Sequence, residues 1–202
     1  MADRIDPRKT ALIVLCMQRD FIEVKATATY EIPGMLARKG TIPKLQKLVG
    51  EARRSGMPII HVGHLKRVDG KDLVPTVESD VKLHIRFLVE DTPGAEFIDG
   101  LKPAPQDHVV YKRRFSAFYG TDLDIRLKAL GVDTVIFTGL LTNVAIANSI
   151  AAAHDRDLDI YVVSDCVACG FPDQDEFFLT KTFPAVARVR AAEEVLAAMG
   201  SV

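Results

Sequence analysis

Residues 134–153 read TVIFTGLLTNVAIANSIAAA, and the change of pattern inside this stretch decides the fold. Thr134 to Gly139 is apolar and rich in β-branched and aromatic residues, as a strand covered on both faces requires. From Thr142 or Asn143 through Ala153 the chain is rich in alanine, which loses least on entering a helix. A glycine closes the strand and a threonine or asparagine opens the helix, so the stretch reads as one βα unit.

The same alternation continues in both directions. Apolar runs end at Cys16 (ALIVLC), His64 (PIIHVGH), Lys112 (DHVVYK) and Val163 (LDIYVV), and a weaker run, ARVR, lies near Arg190. Ile42, Leu45, Leu48, Val49 and Ala52 recur at helical spacing after Pro43, and Gly56 is placed to end that helix in the left-handed conformation. Leu123, Leu127 and Leu130 predict a helix from about Thr121, its cap, with Asp124 in the first turn, to Gly131. Ala191 to Met199 predicts the last. Strands alternating with helices predict an α/β fold of three layers: a six-stranded, mostly parallel sheet with helices on both faces. A chain of 202 residues suits a single domain, 1–202. The excursion from Leu65 to Gln106, with Pro75, Pro93, Pro103 and Pro105, reads either as a lid over a site or as a loop packed on the sheet edge.

Composition removes several function classes. A net charge of −1 leaves no basic surface of the kind that a phosphate backbone needs, so nucleic acid is not expected as a partner. No apolar run approaches the roughly 20 residues that span a bilayer, and MADRIDPRKT lacks a signal-peptide core, so the expectation is a cytoplasmic protein with no membrane partner. Cys16, Cys166 and Cys169 are odd in number and do not make a disulfide framework. The C-x-x-C spacing of Cys166 and Cys169 has no second ligand pair, and the two read as small core residues. His84, His108 and His154 have no partner that sequence identifies. No metal and no cofactor are expected.

In an open parallel sheet, ligands bind outside the carboxyl ends of the strands. That directs attention to Cys16 with Met17 to Phe21, to His64, to Lys112 with Arg113, to Gly139 through Ala145, and to Asp165 with Cys166. A lysine ending an apolar strand is either a snorkelling surface cation or a fixed charge in a site.

ALIVLCMQRDF (11–21), VVYKRRFSAFYGTDLD (109–124), TVIFTGLLTNVAIANSIAAA (134–153) and VVSDCVA (162–168) resemble, in order and separation, four segments of the isochorismatase-like (cysteine hydrolase) family. The resemblance runs from about Lys9 to the end. It implies the strand order 3-2-1-4-5-6, a small-molecule substrate, a homodimer or homotetramer, and a non-proline cis peptide at Leu140–Leu141 in the oxyanion site. The amidases of this family use an aspartate after the first strand, a lysine ending the third and a cysteine opening the helix after the fourth. Carried over by residue, Lys112 matches the lysine. Cys16 stands where the aspartate is expected, and Ala145 where the nucleophile is expected. The implied pocket is narrow and apolar, with Phe21, Phe118, Leu141 and Val144 as walls, His64 beside them and Lys112 as its one fixed cation. His61 and His64 do not reproduce the Asp-x-His metal pattern of the family's nicotinamidases.

An alanine methyl forms no thioester, and a thiol is a poor proton donor for an enol ether, so neither the standard cysteine-amidase nor the isochorismatase mechanism is expected. Asp20 reads as part of the first loop, while Glu23 and Asp165 are candidate stand-ins on position alone. Cys16 has two readings. It is either a relocated nucleophile, its pKa lowered by Lys112 with His61 or His64 as base, or a buried small hydrophobe. Two function classes follow: a hydrolase of a C–N or C–O bond in a small carbonyl compound with non-standard catalytic residues, or a catalytically silent member that keeps the pocket for binding or assembly.

Overall fold

Every apolar run quoted above becomes a strand in the computed structural model, which describes residues 3–23, 31–72 and 87–200. In chain order the elements are β1 (Thr10–Leu15), α1 (Arg19–Ile22), α2 (Ile32–Lys39), α3 (Thr41–Arg54), β2 (Ile59–His64), β3 (His108–Lys112), α4 (Leu123–Ala129), β4 (Thr134–Leu140), a π-type turn (Thr142–Ile146), α5 (Ala147–His154), β5 (Asp159–Ala168), α6 (Pro172–Phe177), β6 (Arg188–Arg190) and α7 (Ala192–Met199). All neighbouring strands pair in parallel, in the order β3-β2-β1-β4-β5-β6. The order reverses between β1 and β4, which opens a crevice at their carboxyl ends.

Two-sided burial explains the apolar runs. β1 is buried at every position, and Phe137 and Leu140 of β4 are fully enclosed. On one face α3 packs with α2 and α7. Right-handed crossovers place α4 and α5 on the other. Gly56, at φ 74°, lets the chain leave α3 toward β2.

The structure departs from the sequence reading at three helices. α1 is too short to show a period, and α2 (IPGMLARK) carries a proline and a glycine that weaken its helical signal. α6 (PDQDEF) is too polar to mark a buried face. The helix expected from Thr121 starts at Leu123. Thr121 Oγ1 accepts the Leu123 N–H at 3.3 Å and donates to Ala117 O at 2.6 Å, while Asp124 pairs with Arg156. No helix among the described residues is long and apolar enough to cross a membrane.

The excursion after β2 is held down at both described ends. Lys66 N–H donates to Leu88 O (2.8 Å), Gln18 bridges to Phe97, and Leu88 is buried. His84 lies outside the described residues, as do Pro75 and the centre of the excursion.

Candidate active site

The site is built from two flanks of the crevice, and the β1–β2–β3 flank carries the ionisable groups. Cys16 follows β1 in a left-handed conformation, φ 53°, which a non-glycine residue adopts at a cost of about 1 kcal/mol. Its N–H donates to Val62 O at 2.8 Å, and its carbonyl accepts from Gln18 N–H at 2.8 Å. Gln18 is fully buried; its Oε1 accepts the His64 N–H (2.8 Å), and its Nε2 donates to His64 O (3.0 Å) and Ala95 O (2.7 Å). This amide fastens the end of β2 to the turn at residues 93–95.

His64 and Lys112 are register partners on β2 and β3. Lys112 Nζ lies 3.2 Å from His64 Nδ1 and donates to Arg114 O at 2.9 Å. The Cys16 thiol and Lys112 act on each other's ionisation. Both residues are 1% exposed, so this is a desolvated thiol–amine pair. Burial pushes the Cys16 thiol above its ordinary range, against the pull of Lys112. Burial likewise lowers Lys112, against Cys16. The expectation that Lys112 would lower the thiol is therefore corrected: loss of water outweighs the single nearby cation. Both directions favour the uncharged pair.

Neither histidine fits the base expected of it. Burial, then Lys112, Lys66, Arg113 and Arg114, hold His64 down to about 3. It is a neutral acceptor for Lys112. His61, three residues before His64 on β2, faces away from it because strand side chains alternate. Its Nε2 lies 3.2 Å from Asp107 Oδ2, itself bound to Arg53, and its ring meets Phe97 edge-on.

The β4 flank carries backbone geometry instead. Gly139, at φ 97°, cannot be replaced without collision, since a Cβ there would lie 2.0 Å from Leu15 O. The Leu140–Leu141 peptide is cis, and Ala145 follows in the π-type turn, 5% exposed, between the half-buried Val144 and the fully buried Ile146. Three contacts hold this turn. Ser149 Oγ donates to Ala145 O (2.6 Å) and accepts from Ala117 N–H (2.9 Å), tying the turn to the loop that follows Lys112. Thr142 Oγ1 donates to buried Asp175 on α6, which pairs with Lys39 Nζ at 2.6 Å. Asn143 Nδ2 donates to Gln174 Oε1 at 2.6 Å.

Two expected walls differ. Phe21 stands at the site edge but meets Phe87 of the excursion edge-on, ring centres 4.6 Å apart. Phe118 is no open wall: Arg156 lies 4.7 Å over its ring, because the Ala117–Ser149 bond draws this segment onto α5. Lys112 is also not the fixed cation expected, because burial draws it toward its uncharged form, while Lys66, Arg113 and Arg114 contribute positive charge that lowers His64. The candidate carboxylates are committed elsewhere. Glu23 pairs with Arg19, Asp165 binds Lys44 and the Ala192 N–H, and Asp20 accepts the Leu88 N–H at 2.6 Å. Cys166 is buried on β5, its thiol pushed up to about 12 by burial and then by Asp165. Cys169 is also fully buried. Among the described residues no group of three or more His, Cys, Asp or Glu converges as metal ligands would.

The motif M-Q-x-D-F contained Gln18 without revealing its clamp. Ser149, one helical turn from Ala145, was readable as an inward polar residue in an alanine-rich helix. Lys39 and Asp175 carried no sequence signal.

An open, doubly wound parallel sheet with a buried lysine at its carboxyl edge and a cis peptide across the crevice defines the class of α/β small-molecule hydrolase scaffolds. Residues 10–194 match the Isochorismatase domain, and the chain belongs to that family. It is 30% identical over 169 residues, 82% of this chain and 84% of the other, to a probable inactive nicotinamidase of Arabidopsis thaliana. Among solved structures, a cysteine hydrolase from Pseudomonas syringae pv. phaseolicola 1448A superposes with a TM-score of 0.84 at 29% identity, covering 98% of this chain and 95% of that one. The N-carbamoylsarcosine amidase of Thermoplasma acidophilum gives 0.70 at 31% identity, covering 92% and 97%.

Proposed function

We propose that this chain is a slow hydrolase of a C–N bond in a small carbonyl compound, working through a Cys16–Lys112 pair. The carrying observation is a buried lysine, hydrogen-bonded to a neutral imidazole and a backbone carbonyl, that acts electrostatically on the buried Cys16 thiol. A lysine stripped of water and of a carboxylate is a base, as in serine–lysine dyads. In the proposed step Lys112 Nζ takes the thiol proton while Sγ bonds to the carbonyl carbon. Collapse of the adduct breaks the C–N bond, and the Lys112 ammonium returns the proton to the departing nitrogen. Water then cleaves the thioester, its proton again passing through Lys112. The backbone N–H groups of Thr142 and Ala145 are the candidate oxyanion donors, since that of Val144 already donates to Leu141 O at 3.1 Å. The amidase named among the similar structures supports C–N over C–O chemistry.

Turnover well below that of a full triad is expected, because base, nucleophile and oxyanion site act as one unit and two positions have changed. The test is incubation with a panel of small amides and ureides, reading ammonia release and the mass of Cys16. An acyl adduct on Cys16, lost together with ammonia release in Cys16→Ala, is the expected result. An adduct-free parent with no release overturns it.

A second reading, a silent member that keeps the pocket, draws on the buried, raised Cys16 thiol and on the relative described as inactive. It predicts an inert parent and amidase activity gained by Cys16→Asp combined with Ala145→Cys.

A further inference from the structure

Thr142, the first residue of the π-type turn, is anchored through its side chain. Its carbonyl accepts the Ala147 N–H at the end of the turn, and its hydroxyl donates to Asp175 Oδ1 on α6. The second oxygen of that carboxylate, Oδ2, accepts from Lys39 Nζ on α2 at 2.6 Å. Both oxygens of Asp175 are thus committed, each to a different element. Asp175 is buried, and Thr142 is fully enclosed. The next residue is tied to the same helix by Asn143 Nδ2 and Gln174 Oε1, but that pair is exposed.

A buried ion pair adds little stability over an apolar pair of the same shape, although breaking it is costly. What this pair supplies is geometry. A charged acceptor makes the Thr142 hydrogen bond stronger than a neutral one would, and a carboxylate held at both oxygens cannot turn away from it. One torsion separates the threonine hydroxyl from its backbone, so fixing Oγ1 also fixes the direction of the Thr142 N–H. The backbone does not do this by itself, since the bonds that close the turn from Val144 and Ile146 run to Leu141 O and pass Thr142 by. An N–H serves a developing oxyanion only if it is held in place before the reaction begins.

We infer that Asp175, backed by Lys39, is a positioning residue for acyl transfer: acting through the Thr142 hydroxyl, it holds the Thr142 N–H where the oxyanion forms. The inference rests on the hydrolase reading and gives the pair a task beyond keeping the turn folded. It separates two reactions of the same thiol. Attack of Cys16 on a carbonyl needs oxyanion donors and should depend on Asp175 and Thr142. Attack of Cys16 on an alkyl halide develops no oxyanion and should not.

Acylation by p-nitrophenyl acetate, read as nitrophenolate release and as mass gained on Cys16, measures the first reaction, and alkylation of Cys16 by iodoacetamide measures the second. In the acylation Sγ bonds to the acetyl carbon, the ester C–O bond breaks and nitrophenolate leaves, the thiol proton passing to Lys112. Rates are taken per folded molecule on the full chain, because these substitutions also cost stability. Thr142→Val keeps the shape and loses the hydroxyl; its acylation is expected to fall about tenfold while alkylation changes by less than about twofold. Thr142→Ser restores the hydroxyl and should return acylation to within about threefold of the parent. Asp175→Asn keeps an acceptor but not the charge and should fall between the two; it makes the same comparison should Thr142→Val not fold. Equal acylation of parent and variants, no recovery in Thr142→Ser, or a parallel fall in alkylation overturns the inference and leaves the hydrolase reading standing. A parent that is never acylated overturns the hydrolase reading, and this inference with it.

Discussion

The two flanks of the crevice have kept different things. On the β1–β2–β3 flank the ionisable groups are in contact: Cys16 interacts with Lys112, and Lys112 reaches His64, with a thiol at the position where the sequence reading expects an acid. On the β4 flank Ala145, where the sequence reading expects a nucleophile, offers only a methyl group, yet the turn around it is held by a serine, a buried aspartate–lysine pair and an asparagine. Chemistry and scaffold are therefore separable here. The scaffold rests on bonds to backbone and on the absence of a Cβ, which no exchange at positions 16 or 145 disturbs. Substitutions on the β4 flank should cost stability, whereas those on the other flank should change charge and reactivity at little structural expense.

The severest break of this division is Gly139→Ala. A methyl placed 2.0 Å from Leu15 O, on a residue at φ 97°, forces β1 and β4 apart at the switch point of the sheet. The expected loss exceeds about 4 kcal/mol, enough to leave most of the protein insoluble or unfolded. Recovery of a soluble variant with an unchanged denaturant midpoint would show that the crevice has more freedom than this packing allows.

Asp175→Ala should cost less, about 3 kcal/mol, because it strands Lys39, whose side chain is 18% exposed, and removes the acceptor of Thr142. Cys16→Ala, by comparison, leaves the backbone–backbone bonds of Cys16 in place, its N–H still donating to Val62 O, and should cost about 1 kcal/mol. Urea unfolding of the two variants measures the difference directly. A smaller loss for Asp175→Ala than for Cys16→Ala would reverse the assignment of scaffold and chemistry to the two flanks.

Much of this was legible in the sequence for a physical reason: strands buried on both faces must be apolar throughout, so β1, β2, β4 and β5 announced themselves. The candidate site was legible where it lies at strand ends. Cys16, His64, Lys112 and Leu140–Ala145 all lie at or just beyond them. What stayed hidden was the support. Asp175 reaches Thr142 across 33 positions and Gln18 reaches His64 across 46, and no periodicity encodes such pairs. The direction of the Cys16 shift was also hidden, because it depends on the depth of burial, which a strand-end position does not specify. Phe118 misled for a similar reason: an aromatic residue near a site lines it only if nothing else claims its ring, and Arg156 does.

The smallest expected effect lies in the pH dependence of stability, and it distinguishes the flanks by charge. His64 is held at about 3 in the folded protein, chiefly by burial, whereas in the unfolded chain it titrates at the ordinary histidine value of about 6.5. Below about 6.5 the unfolded state therefore binds a proton that the folded state refuses, so stability falls as pH drops from there toward 3. Above that window the residue contributes no slope. At pH 5.5 the loss from this one group is about 1 kcal/mol relative to pH 7.5. His64→Gln keeps a neutral side chain beside Lys112 and removes the titration, so the gap between the two proteins should narrow as pH is lowered from 7 to 5. Asp175→Ala leaves His64 untouched and should run parallel to the parent over that range. Urea midpoints for the three proteins at half-unit steps in pH provide the measurement. A parent and a His64→Gln variant with the same slope would mean that His64 takes up its proton in the folded state, and that the end of β2 is wetter than its burial beside Lys112 implies.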